Sequence, residues 1–317
     1  MAPPASPASS ALPAPTGQDV RTRSFVSNLL RSLRPSQWTK NLFVFAGLIF
    51  GEKLRDPDAV LEACLAFVVF CLLSGTVYLI NDVLDREADR LHPVKSKRPI
   101  ASGAISPAAA LATASILIVA SLSLAFSINR AFGLVSATYL TLLALYSISL
   151  KHIVIVDVIV LAGGFVLRAY GGAVAINVAF SHWLLLLMLL LALFLGLSKR
   201  RAELVALASD ASGHRPSLAQ YSPYLLDQMI GVVTASTLLA YAFYTISPET
   251  VAKFGTDHLL FTVPFPLYGI FRYLYLVHQR EGGGNPSEML LTDKPLLLCV
   301  ALWGVAVIAI LYTPGLR

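Results

Sequence analysis

Apolar residues fill long uninterrupted runs of this chain, and polar residues collect at the ends of those runs. Nine runs, centred near Val44, Val68, Ile116, Leu140, Leu161, Leu189, Leu238, Pro264 and Val305, approach the roughly 17–25 residues with which a helix crosses a hydrocarbon core of about 30 Å. The first is short, and the eighth carries Pro264 and Pro266. Both stay in the count, because neighbouring helices can satisfy the backbone groups that proline frees. The pattern predicts an all-α integral membrane protein with nine transmembrane helices.

Basic residues give that count an independent test. With the N-terminus on the cytoplasmic side, 18 of the 24 Lys and Arg residues fall in cytoplasmic segments and five on the other side, leaving Arg168 inside the fifth run. This is a positive-inside distribution. It also accounts for the net charge of +6 without a nucleic-acid partner. Composition agrees, since only 13% of residues are charged against about 25% in soluble domains. Cys64, Cys71 and Cys299 lie in apolar runs and read as small packing residues.

Residues 1–24 are largely Pro/Ala/Ser-rich and read as a disordered cytoplasmic tail, with residues 25–317 forming one transmembrane catalytic domain. No soluble domain is long enough to fold separately. A homo-oligomer is neither indicated nor excluded.

Candidate chemistry concentrates in Tyr78 to Pro99, at the end of the second run. Asp82, Asp85 and Asp89 are spaced by three and four residues, so on a helix they share one stripe, with Asn81 one turn before Asp85. Crowded carboxylates repel, and a divalent cation such as Mg²⁺ relieves this while keeping positions open for phosphates. Asn81, Asp82, Asp85 and Asp89 are the expected metal ligands, and the three aspartates the expected catalytic residues. Orientation alone needs only basic residues, so these acids call for another explanation.

Cations for phosphate binding follow at Lys95 and Arg98, with Lys40, Lys151, Lys199 and Arg200 in other loops and Tyr78 as a hydrogen-bonding group. Arg168 lies eleven residues after Asp157, on the same helical face. An intramembrane arginine needs a polar cavity or a partner. Two readings stay open: an ion pair with Asp157, or a reach to a bound phosphate in which both residues line the substrate site. Gly163, Gly164, Gly171 and Gly172 allow close helix packing around such a cavity.

The acidic segment, Asn81-Asp82, Asp85 and Asp89 followed by His92-Pro93, Lys95 and Arg98-Pro99, resembles the first acidic motif of the UbiA-type intramembrane prenyltransferase superfamily. That resemblance implies a helical bundle with a central cavity open to the membrane and the cytoplasm, holding Mg²⁺ and a diphosphate. A second Asp-rich motif after the sixth helix is typical of those proteins, but here the segment reads Ser198-Lys199-Arg200-Arg201 with Glu203. The Arg34–Asn41, Tyr146–Lys151 and Phe271–Pro295 segments further resemble the decaprenyl-phosphate phosphoribosyltransferase branch.

The branch resemblance implies transfer of 5-phosphoribose from phosphoribosyl diphosphate (PRPP) to a polyprenyl phosphate for cell-envelope arabinan precursors, in a bacterial plasma membrane. The lipid is then the acceptor. One alternative is a sibling enzyme that moves a polyprenyl group from its diphosphate to an aromatic or quinone acceptor. Another is a lipid or phosphate transporter, which should show paired repeats with broken helices.

Overall fold

A computed structural model describes residues 24–208, 218–279 and 286–313. The expected disordered tail therefore lies almost wholly outside the described residues. The α-helices are α1 (Phe25–Ser32), α2 (Ala46–Phe50), α3 (Pro57–Leu84), α4 (Arg86–Leu91), α5 (Pro107–Ile128), α6 (Arg130–Ile148) and α7 (Val156–Ala175). They continue as α8 (His182–Ala208), α9 (Pro223–Ile246), α10 (Pro248–Phe254), α11 (Pro264–Gln279), α12 (Pro286–Thr292) and α13 (Lys294–Tyr312).

Local sequence sets the helix starts. Proline in the first turn, where its missing N–H costs nothing, follows a capping side chain at α3 (Asp56), α5 (Ser106), α9 (Ser222), α10 (Ser247) and α13 (Asp293). Asn129 serves two helices. Its Oδ1 accepts the Phe132 N–H at 2.7 Å to cap α6, and its Nδ2 donates to the Val174 and Ala175 carbonyls at 3.0 and 3.1 Å, closing the end of α7.

Among the described residues, eight helical segments are long and apolar enough to cross a membrane. Their outward faces carry Ile116, Val119, Val232 and Val305, each about two-thirds exposed as lipid contact requires. The first expected span differs. Residues Pro35–Phe45 form a 3₁₀ helix that runs into the five-residue α2, so no α-helix of spanning length is centred on Val44.

This 3₁₀ segment nevertheless lies antiparallel along α3. Arg34 meets Asp82 at one end, Asn41 Nδ2 donates to Cys71 Sγ and Ser74 Oγ midway, and Phe45 stacks on Phe67 beyond. Its backbone also presses on α7. A Cβ on Gly172 would stand 1.9 Å from the Val44 carbonyl oxygen, and one on Gly47 would stand 2.6 Å from Ala173 Cα. Only glycine permits that approach, as the glycine pattern in this run predicts. Cys71 and Cys299 are buried as expected, whereas Cys64 is exposed on the outer face.

Candidate active site

The acidic stripe forms where α3 ends. Helical hydrogen bonding breaks at Asp85, which closes α3 and opens α4, although Asp85 N–H still donates to the Asn81 carbonyl and Asp89 N–H to that of Asp85. The aspartates therefore keep their helical spacing through a bend. They do not converge on one point, and among the described residues no group of three or more His, Cys, Asp or Glu side chains is gathered as a metal would require.

Arginines, not a cation alone, relieve the expected repulsion. Asp82 is buried, and its Oδ1 accepts from Arg34 Nη2 at 2.6 Å and from Arg98 Nη1 at 3.1 Å. The same Arg98 nitrogen donates to Asp89 Oδ2 at 2.6 Å. Asp85 is the least buried member, half-buried, and its partner is Lys151 at 3.3 Å. Asn81 Oδ1 is buried without a hydrogen-bond partner. A hard acceptor oxygen left unbonded costs about 1–3 kcal/mol, and a hard cation would satisfy it. Oxygen donors of the kind Mg²⁺ takes thus line the stripe, with Asn81 Oδ1 open, although the acids are not gathered around one point.

Arg34 was not among the expected site residues, having entered the sequence reading as a basic loop residue and as the start of the Arg34–Asn41 segment. Its backbone is left-handed (φ 54°), immediately before Pro35. This uncommon conformation accompanies a guanidinium that lies over the Tyr78 ring, 4.6 Å from the centroid, and bonds Asp82. The expected Tyr78 thus shelves the arginine.

Arg168 and Asp157 do share a buried face of α7, but they do not pair. Eleven residues separate them by about 16 Å along the axis, beyond any side chain's reach. Arg168 Nη2 instead donates to the buried Tyr139 hydroxyl at 2.7 Å, its guanidinium packs on Phe165, and its Nε is buried and unbonded. A tyrosine on a neighbouring span was the signal available in the sequence. Asp157 takes Arg200 Nε at 2.8 Å and the Tyr221 hydroxyl at 3.0 Å, and Arg200 also bonds Glu203 at 2.7 Å. Asp157 and Arg200 are therefore spent on each other, in a buried tie between α7 and α8.

Cations do crowd elsewhere. Lys40 sits outside the eight spanning helices, and its pKa falls to about 8 because it is buried and because Lys199, Arg168 and Arg34 repel its charge. Cations from the first segment, α7 and α8 thus act on Lys40. Lys199 makes a long contact to Glu203, 3.7 Å. Lys95 is exposed, and its backbone N–H is held by His92 Nδ1.

Residues 41–292 match the UbiA prenyltransferase family. The chain belongs to that family. It is a membrane-embedded transferase of the UbiA type, all-helical among its described residues. It is 32% identical over 294 residues to the decaprenyl-phosphate phosphoribosyltransferase of Mycolicibacterium smegmatis, covering 89% of this chain and 91% of that one. The protein of that name from Mycobacterium tuberculosis H37Rv is 32% identical over 295 residues, covering 90% and 96%. A UbiA homolog from Archaeoglobus fulgidus, solved bound to GPP and Mg²⁺, superposes with a TM-score of 0.67 at 21% identity, over 90% of this chain and 99% of the other. This UbiA-family member therefore shares its fold with proteins that bind divalent metal.

Proposed function

We propose that this UbiA-family member transfers 5-phosphoribose from PRPP to a polyprenyl phosphate at the cytoplasmic face of a bacterial plasma membrane, releasing diphosphate. The observation that carries the reading is the gathering of Lys199, Arg168 and Arg34 about Lys40, whose proton affinity falls first through burial and then through their repulsion. Such a group suits substrates that together bring a lipid phosphate, a sugar phosphate and a diphosphate. The activity for which its relatives are named points the same way.

One bond forms, between an acceptor phosphate oxygen and C1 of the ribose, as the bond from C1 to the diphosphate breaks. A phosphate monoester with a second pKa near 6 is already largely anionic at neutral pH, so no general base is needed. Mg²⁺ would be held by Asn81, Asp82, Asp85 and Asp89, and when bound it neutralises the leaving diphosphate. Arg34 and Arg98 orient Asp82 and Asp89, while Lys40, Arg168 and Lys199 offset the incoming phosphate charge. The product is a phosphoribosylated lipid, of the kind from which an arabinose donor for envelope glycans is made.

Purified protein in nanodiscs, supplied with PRPP, Mg²⁺ and a polyprenyl phosphate, should release diphosphate only when the lipid is present. Release without lipid, or prenylation of an aromatic acceptor from a polyprenyl diphosphate in its place, would overturn the assignment.

A further inference from the structure

The turn between α6 and α7 is held by a contact from a distant part of the chain. After the 3₁₀ turn Leu150–His152 the backbone reverses at Ile155, with φ 68° and ψ −47°. Across it the Val156 N–H donates to the Val154 carbonyl at 2.8 Å. This is the strained, positive-φ form of the γ-turn, built on a β-branched residue for which positive φ is a genuine outlier. Something must hold it.

The Ile155 N–H donates to the Tyr221 hydroxyl at 2.7 Å, and that hydroxyl donates to Asp157 Oδ1 at 3.0 Å. Tyr221 and Asp157 are both buried. On one side of the turn stands Lys151, facing Asp85 of the acidic stripe; on the other stands Asp157, which fixes Arg200. A single hydroxyl from beyond α8 therefore bonds the turn at its point of strain, between two charged residues of the motif end.

We propose that Tyr221 is a positioning residue for transfer: by holding the Ile155 turn it sets where Lys151 stands against Asp85. The inference rests on the proposed function for its kinetic consequence, though not for its geometry. Tyr221 packs in one apolar cluster with Val158, Leu218 and Leu226. Tyr221→Phe keeps that ring in place and removes only the hydroxyl, leaving the Asp157 to Arg200 bond intact.

The test compares wild type, Tyr221→Phe and Tyr221→Phe/Ile155→Gly in nanodiscs. Tyr221→Phe should raise KM for PRPP about fivefold, the worth of one hydrogen bond, with a much smaller change in kcat, and should lower the melting temperature because Ile155 N–H and Asp157 Oδ1 lose a buried partner. Glycine adopts positive φ without strain, so the double variant should recover the wild-type KM. A lowered melting temperature with KM unmoved, or no rescue by glycine, would overturn the proposal.

A second readout is independent of turnover: the rate at which an acetylating reagent modifies Lys151, followed by peptide mass spectrometry against Lys53 as reference. The rate should change in Tyr221→Phe and return in the double variant. An unaltered rate in Tyr221→Phe overturns the positioning role. Altered labelling in Tyr221→Phe that returns in the double variant, when the wild-type protein makes no diphosphate from PRPP and lipid, would support the positioning role and overturn only the proposed reaction.

Discussion

Lys151 places its ammonium 3.3 Å from Asp85 Oδ1, joining the turn after α6 to the end of α3 across 66 residues of sequence. Asp85 is the least buried acid of the stripe, whereas Asp82 and Asp89 are buried against arginines. Replacing Asp85 by Asn should therefore cost activity far more than stability. A loss of about 10²–10³ in Mg²⁺-dependent diphosphate release is expected, the range for losing one preorganised electrostatic contact. Near-normal turnover by Asp85→Asn would remove the carboxylate from the reaction.

Arg168 has a hydroxyl and two aromatic rings as its neighbours, with no acid among its described ion pairs. Its charge is left for a ligand. Arg168→Ala should raise KM for PRPP or for the lipid phosphate by at least about tenfold, the scale of a hydrogen bond to a charged group. Unchanged kinetics for both substrates would confine Arg168 to holding Tyr139.

Lys40 gives the reaction a pH signature. With its pKa lowered to about 8, it is cationic below that pH and neutral above it. For the free enzyme, kcat/KM toward anionic substrates should fall as pH rises through 8, and Lys40→Arg, permanently charged, should remove the inflection. Stability runs the opposite way. The unfolded chain holds this proton more tightly, so between about pH 8 and 10.5 the folded state gains stability from Lys40 as pH rises. Falling kcat/KM at an undiminished melting temperature separates the two, and a flat kcat/KM profile would exclude Lys40 from binding.

Asp157 and Arg200 should behave as structure. Both side chains are buried, so Asp157→Asn leaves Arg200 without its fully buried charge partner, at a cost on the order of 3–5 kcal/mol. Lys199→Ala breaks a solvent-exposed contact to Glu203, which should cost about 0–1 kcal/mol. Thermal unfolding in detergent ranks the two. Equal melting temperatures would mean that the tie contributes nothing.

Glycines of α7 should separate by position. Gly172→Ala drives a Cβ into the Val44 carbonyl, whereas at Gly163 the nearest atom to an added Cβ is Leu142 Cδ2 at 3.6 Å, ordinary contact. Gly172→Ala should lower folded yield and melting temperature sharply, while Gly163→Ala stays near wild type. Matched yields would show that the first segment adapts without strain.

Most spans are legible in the sequence because lipid demands apolar side chains over a fixed length. The first is not. Pro35 and the contact of Val44 with Gly172 accompany a 3₁₀ path that hydropathy does not distinguish from an α-helix. At the site, spacing placed Asp82, Asp85 and Asp89 together, but not their partners: Arg34, Lys151 and Arg98 come from three separate turns. Helical phase put Asp157 and Arg168 on one face, yet phase carries no axial distance, and each found its partner on a different helix. Tyr139 was missed because a tyrosine in an apolar run reads as packing until a charge is found beside it, and Tyr221 because it stands in a short polar stretch between two runs.

The bare backbone contact between Val44 and Gly172 has a mechanical consequence. With no side chain between them to act as a bearing, the strip bearing Lys40 and the helix bearing Arg168 must travel together. Any opening that admits a substrate has to come from the other walls, at the arginine-laced elbow of α3 and α4 or the far helices α8 to α13.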